Sequence, residues 1–88
     1  MQIKKGFKLR TVDDLYVVIA GPQAAQDFNG MITLNESGAF LWNKLQAPTT
    51  EEDLVAALCE EYGIISERAE TDVRKFLQIL RSGDLLDD

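Results

Sequence analysis

The chain predicts an α+β fold, sheet first and helices after, on three observations. A stretch of alternating residues is followed by a β-branched run, as in a hairpin. Every segment beyond Asn35 instead repeats its apolar residues at helical spacing. Turn or capping residues stand at the boundaries between them.

Phe7, Leu9 and Thr11 alternate with Lys8, Arg10 and Val12, the period of a half-buried strand. Asp13-Asp14 supplies a two-residue turn, and Leu15 to Ala20 (Leu-Tyr-Val-Val-Ile-Ala) is the hairpin partner, stopped by Gly21-Pro22. Asn29-Gly30 suits a type I′ turn, whose two central residues need positive φ. It would pair a weak strand, Ala25 to Phe28, with Met31 to Leu34. Asn35 follows with no linker and is a favoured N-cap, while Glu36 suits the positive end of a helix dipole.

Three helices are expected. The first spans about Glu36 to Leu45, with Gly38, Leu41, Trp42 and Leu45 on one face and Phe40 almost opposite, so two sides of it should be contacted. The second opens at Thr50, where Thr50-Glu51-Glu52-Asp53 approximates a capping box. Leu54, Val55, Leu58 and Tyr62 form its buried stripe, Cys59 lies on its apolar side, and Gly63 suits a left-handed C′ position. The third runs from Ser66 to near Ser82, with Gly83 as its stop. The architecture predicted is winged-helix-like: a three-stranded antiparallel sheet at the amino end followed by a three-helix bundle, residues 1–88 forming one small domain.

Composition narrows the chemistry. Hydrophobic residues are 45% of 88, an ordinary globular share, and no apolar run approaches a membrane span or a secretion signal. A cytoplasmic protein without a membrane partner is expected. The formal charge is −6, with Lys4, Lys5, Lys8 and Arg10 at the amino end and most carboxylates beyond Thr50. An acidic body opposes a phosphate backbone, so no nucleic-acid partner is expected. The alternative, a winged-helix DNA-binding regulator, would need cations on the third helix, yet Glu67, Glu70 and Asp72 accompany Arg68, Arg74 and Lys75. With no histidine and one cysteine, the commonest general base and a common metal ligand are missing and no nucleophile–base pair can be assembled, so the chain reads as a non-enzyme with no cofactor or metal. Cys59 reads as a buried small hydrophobe.

The candidate site lies on the third helix. Ala69, Val73, Phe76, Leu77 and Leu80 cluster within roughly 80° of the wheel as a core stripe. Ile79 falls about 100° from its centre, among Asp72, Arg68 and Lys75, and Phe76 bridges the gap to the stripe. A lone surface hydrophobe is common, but this one continues an apolar flank. Met31, Ile32, Thr33 and Leu34, if left at a sheet edge with Ile32 and Leu34 inward, could accept a strand from a partner.

These residues also carry a resemblance. Gly30-Met31-Ile32-Thr33-Leu34-Asn35-Glu36-Ser37-Gly38-Ala39, then Trp42, Thr50-Glu51-Glu52, Glu61-Tyr62, and Asp72-Val73 through Phe76-Leu77 to Gly83-Asp84-Leu85-Leu86 are similar to the PqqD family. The similarity extends from roughly Phe7 to the carboxyl end. It implies a non-catalytic peptide chaperone that binds the leader of a ribosomally made precursor peptide. Such a chaperone presents the peptide to a modifying enzyme, often a radical S-adenosylmethionine enzyme. In that family the leader adds antiparallel to the third strand and lies against the third helix. Here those elements are Met31 to Leu34 and the flank bearing Arg68, Asp72, Lys75, Phe76 and Ile79. Proteins of the pyrroloquinoline quinone pathway reach their Gly-Met soon after the second strand. Here Gln23 to Asn29 intervenes, which points to another peptide system.

Overall fold

The computed structural model describes residues 1–21 and 32–87. The Ala25–Phe28 strand, the Asn29-Gly30 turn, Pro22 and Met31 therefore lie outside the described residues.

Strand β1 is Gln2–Ile3, β2 is Phe7–Val12, β3 is Leu15–Ala20 and β4 is Ile32–Leu34. Helices α1 (Glu36–Lys44), α2 (Glu51–Tyr62) and α3 (Ser66–Ser82) follow, and β5 is Leu86–Asp87. The main sheet is antiparallel in the order β2-β3-β4. Val12 pairs with Leu15 across Asp13-Asp14, and Asp13 takes the left-handed φ of 54° that a tight hairpin needs and aspartate tolerates. At the other end of the hairpin Gly21 N–H donates to Gly6 O, so close that a Cβ on Gly21 would stand 3.2 Å from that oxygen.

Strand β4 passes into α1 through a single residue. Asn35 keeps an extended backbone while its side-chain oxygen accepts from Gly38 N–H at 2.8 Å, capping the helix as expected. Gly38, Leu41, Trp42 and Leu45 are buried, and so is Ala39. Phe40 is contacted on the second side: Tyr62 meets it edge-on at 5.7 Å and Lys44 lies over its ring. Thr50 caps α2 through Asp53 N–H at 3.1 Å, and Gly63 closes it in the left-handed region at φ 63°. The α2 stripe is narrower than the spacing suggests. Leu54 and Leu58 are buried, Val55 and Cys59 are half-buried, and Tyr62 is 38% exposed. Cys59 is thus a wall residue rather than a core one, because α3 covers only one side of α2's apolar face.

The α3 stripe of Ala69, Val73, Phe76, Leu77 and Leu80 is buried throughout. Its end falls at Ser82, as expected. Gly83 is the cap residue, but Asp84 takes the left-handed φ of 59°. Leu85 N–H donates to Leu80 O and Asp84 N–H to Arg81 O, the paired bonds of a Schellman motif, with Leu80 and Leu85 fully buried. That turn sends the chain back along the body, where β5 pairs with β1 in a second, two-stranded sheet joining Gln2 to Asp87 and Ile3 to Leu86. Two-residue strands carry no readable period, so the sequence did not announce this sheet. Ile3, Leu85 and Leu86 close one side of a connected core that runs through Val18, Leu34, Trp42, Leu58 and Leu77.

Candidate functional site

β3 occupies the centre of the sheet, so β2 and β4 form its edges among the described residues. The two edges are unlike. β2 carries exposed Lys8 and Arg10, the charges by which proteins discourage edge pairing. β4 carries Ile32, Thr33 and Leu34, with no charge. Its alternation is set by the core beneath it. Leu34 is buried and Ile32 half-buried against the core, and Thr33 is exposed on the other face. The inward placement of Ile32 and Leu34 matches the sequence reading.

Beside β4 runs a groove of about 460 Å³ between the β4–α1 junction and α3. Thr33 and Leu34 line it from the strand; Arg68, Asp72, Lys75, Phe76 and Ile79 line it from the helix. Seven of the nine residues singled out in the sequence thus surround one hollow. Ile32 is not part of the lining, and Met31 lies outside the described residues. Asn35, Ser37, Gly38 and Leu41 complete the wall and were not anticipated as site residues. The clue was available: a helix that starts one residue after a strand must put its first turn beside that strand's end.

The groove is apolar at depth and charged at its mouth. Phe76 is 5% exposed and shows only an edge, whereas Ile79 is 46% exposed. Arg68 Nε and Asp72 Oδ2 lie 3.8 Å apart, one helical turn from each other on the surface. Exposed Lys75 has no ion-pair partner among the described residues. Past Asn35 and Ser37 a smaller hollow of about 280 Å³ continues to Leu58, Tyr62 and Ile64, sharing Arg68 and Asp72. Withdrawal from water pushes the Tyr62 hydroxyl pKa above the usual 10.0, and the charges of Glu36 and Glu61, with Tyr16, add to this. Among the described residues no cluster of histidine, cysteine or carboxylate side chains could hold a metal ion. No described helix is long and apolar enough to cross a membrane.

A winged-helix-like α+β fold, with an uncharged edge strand set beside a half-apolar groove on its last helix, is the class that these features define. The chain belongs to the PqqD family: the family model for coenzyme PQQ synthesis protein D (PqqD) matches residues 16–86. The match begins inside β3, so β1 and β2 lie outside it. Among solved structures the chain is similar to TbiB1 in complex with the TbiA(beta) leader peptide, at 26% identity and a TM-score of 0.75. That alignment covers 99% of this chain and 95% of the other. It is also similar to lasso peptide synthetase B1 complexed with the leader peptide, at 18% identity and a TM-score of 0.71, covering 96% and 93% of the two chains. At 18% identity the second likeness speaks for the fold alone. No curated protein matches the chain by sequence.

Proposed function

We propose that this protein binds the leader segment of a precursor peptide by adding it as an antiparallel strand to β4, and presents the peptide to a modifying enzyme without itself catalysing a reaction. The observation that carries this is the pairing of an uncharged sheet edge with a groove whose most exposed apolar wall residue, Ile79, is left 46% exposed. The enzyme class that the family resemblance implies is a radical S-adenosylmethionine enzyme. The likeness to TbiB1, solved with a leader peptide, supports the peptide-binding reading.

The energies are sufficient. Three or four main-chain hydrogen bonds contribute ~1 kcal/mol each. Burying about 300 Å² of apolar peptide surface adds ~7 kcal/mol. Ordering and immobilising a flexible segment offset several kcal/mol of that. A dissociation constant on the order of micromolar to tens of micromolar follows. Main-chain pairing holds many sequences alike, so Arg68, Asp72, Lys75, Phe76 and Ile79 would supply discrimination. A docked leader would hold its core segment near the enzyme at roughly millimolar effective concentration.

The test is calorimetric titration with synthetic leaders taken from short reading frames beside this gene. Ile79→Asp should weaken binding at least ~10-fold, since an ionised group would face the apolar part of the bound strand. Its melting temperature should stay within about 2 °C of the parent, as expected for a half-exposed site. Equal loss of affinity and melting temperature would make Ile79 a packing residue and remove the groove from the function.

A further inference from the structure

Helix α3 has a second flank that leader docking leaves free. Arg68, Asp72, Lys75 and Ile79 lie on one side of its buried stripe; Ser66, Glu70 and Arg74, spaced one turn apart, lie on the other. This second side faces α2 across a groove of about 760 Å³, larger than the one beside β4. Its floor is apolar and unsealed: Val55 and Cys59 rest against the core yet stay half-buried, and Ala56 is exposed between them. Glu51, Glu52, Glu60 and Glu70 rim the groove, and Arg74 is the single cation among its lining residues. Among the described residues none of the four carboxylates forms an ion pair.

We propose that the α2–α3 groove docks an amphipathic helix of the modifying enzyme, with aliphatic side chains on Val55, Ala56 and Cys59 and lysines or arginines against the four glutamates. This rests on the function proposed above. The occupant follows from charge complementarity: an apolar trough with four unpaired carboxylates on its rim favours a cationic amphipathic segment over an acidic or neutral one. The trough follows α2, whose 12 residues extend about 18 Å, so a helix of about three turns fits it. Because the two grooves flank opposite sides of α3, leader and enzyme can be held together without competing. The protein then acts as a bridge rather than as a carrier that must release one partner to bind the other.

The experiment uses the whole chain and a fluorescein-labelled synthetic helix, leucines on one face and lysines on the other, followed by anisotropy. Binding should saturate and weaken at least ~10-fold when salt rises from ~50 to ~300 mM. The Glu52→Lys/Glu70→Lys double variant should lose it, again by ~10-fold or more. An Asp14→Lys/Asp87→Lys variant, with the same change in net charge at residues that do not line the groove, should bind as the parent does. Cys59 is the one cysteine in the chain, so its rate of alkylation by a maleimide should fall severalfold with the helix bound. Absence of saturation, equal weakening by both charge variants, or unprotected Cys59 would overturn the inference. Leader affinity, measured in parallel, should be unchanged in Glu52→Lys/Glu70→Lys. A parent protein that binds leader but not the helix would refute only this bridge, whereas failure of leader binding in the parent would refute the function it rests on.

Discussion

Gly38 shows how closely one atom can couple fold and site. A Cβ there would stand 3.1 Å from Asn35 Oδ1 and 3.2 Å from Leu34 Cβ. Neither neighbour can yield cheaply, because the first caps α1 and the second is fixed to the backbone of β4. Alanine would gain up to ~1 kcal/mol of helix propensity, but overpacking costs ~1–3 kcal/mol. Gly38→Ala should therefore destabilise by about 1 kcal/mol, a fall of ~4–8 °C in melting temperature, and should also weaken leader binding by pushing β4 aside. Thermal unfolding with titration of the same sample checks both. Tyr62 makes a pH-dependent prediction. Its raised pKa means that the unfolded chain loses the phenolic proton first. The stability contribution is complete below 10.0 and is lost as pH rises from there through the folded-state value. Urea titrations from about pH 9 to about pH 11 should show a shallower decline for Tyr62→Phe than for the parent. Residue-scale facts of this sort were partly legible beforehand. Asn35, Thr50 and Gly63 announce their roles because capping is local chemistry. The half-exposure of Cys59 and Tyr62 depends on how α3 lies across α2, which no local signal encodes.

At the scale of elements, β4 is the decisive piece. In an antiparallel ladder, Ile32 and Leu34 aim their backbone groups to one side and Thr33 to the other. One set bonds β3 and the other faces the edge. Of Ile32→Pro and Thr33→Pro, one should disrupt β3–β4 pairing and lower stability. The other should keep its melting temperature within a few degrees yet lose leader binding, since proline removes the outward donor. If both substitutions left the affinity for leader unchanged, strand addition at β4 would be wrong. The helices were readable to within a residue or so because 3.6-residue periodicity and caps agreed at each. The main hairpin was readable from period-2 alternation in β2 and the Asp13-Asp14 turn. The β1–β5 sheet was not, since pairing across the length of the chain depends on where α3 and its Schellman turn deliver Leu85 and Leu86.

Over the whole molecule, the pairing of β1 with β5 is a clasp as well as a sheet. Ile3 is 7% exposed and its N–H donates to Leu45 O, linking the amino end to the end of α1. The Lys4–Asp84 ion pair above it is 2.8 Å long, but its side chains are 38% and 83% exposed. Burial should dominate here. Ile3→Ala should cost ~2–4 kcal/mol, while Lys4→Ala should cost under ~0.5 kcal/mol. Urea denaturation of the two variants would show whether the clasp is held by its apolar residue or by its charges. The groove itself was legible in outline from the wheel position of Ile79 and the uncharged run Ile32 to Leu34. Its α1 wall was implied by the strand-to-helix junction at Asn35, whereas the trough on the far side of α3 was hidden, because it arises from the angle at which α2 and α3 meet.

The clasp has one more result. Gln2 and Asp87, partners in that small sheet, hold the start and finish of the described chain roughly 5 Å apart. Within the described residues the two ends run side by side. The unit could therefore be spliced into a surface loop of a host protein, or its tips tied together and the ring cut elsewhere, with the groove beside β4 undisturbed.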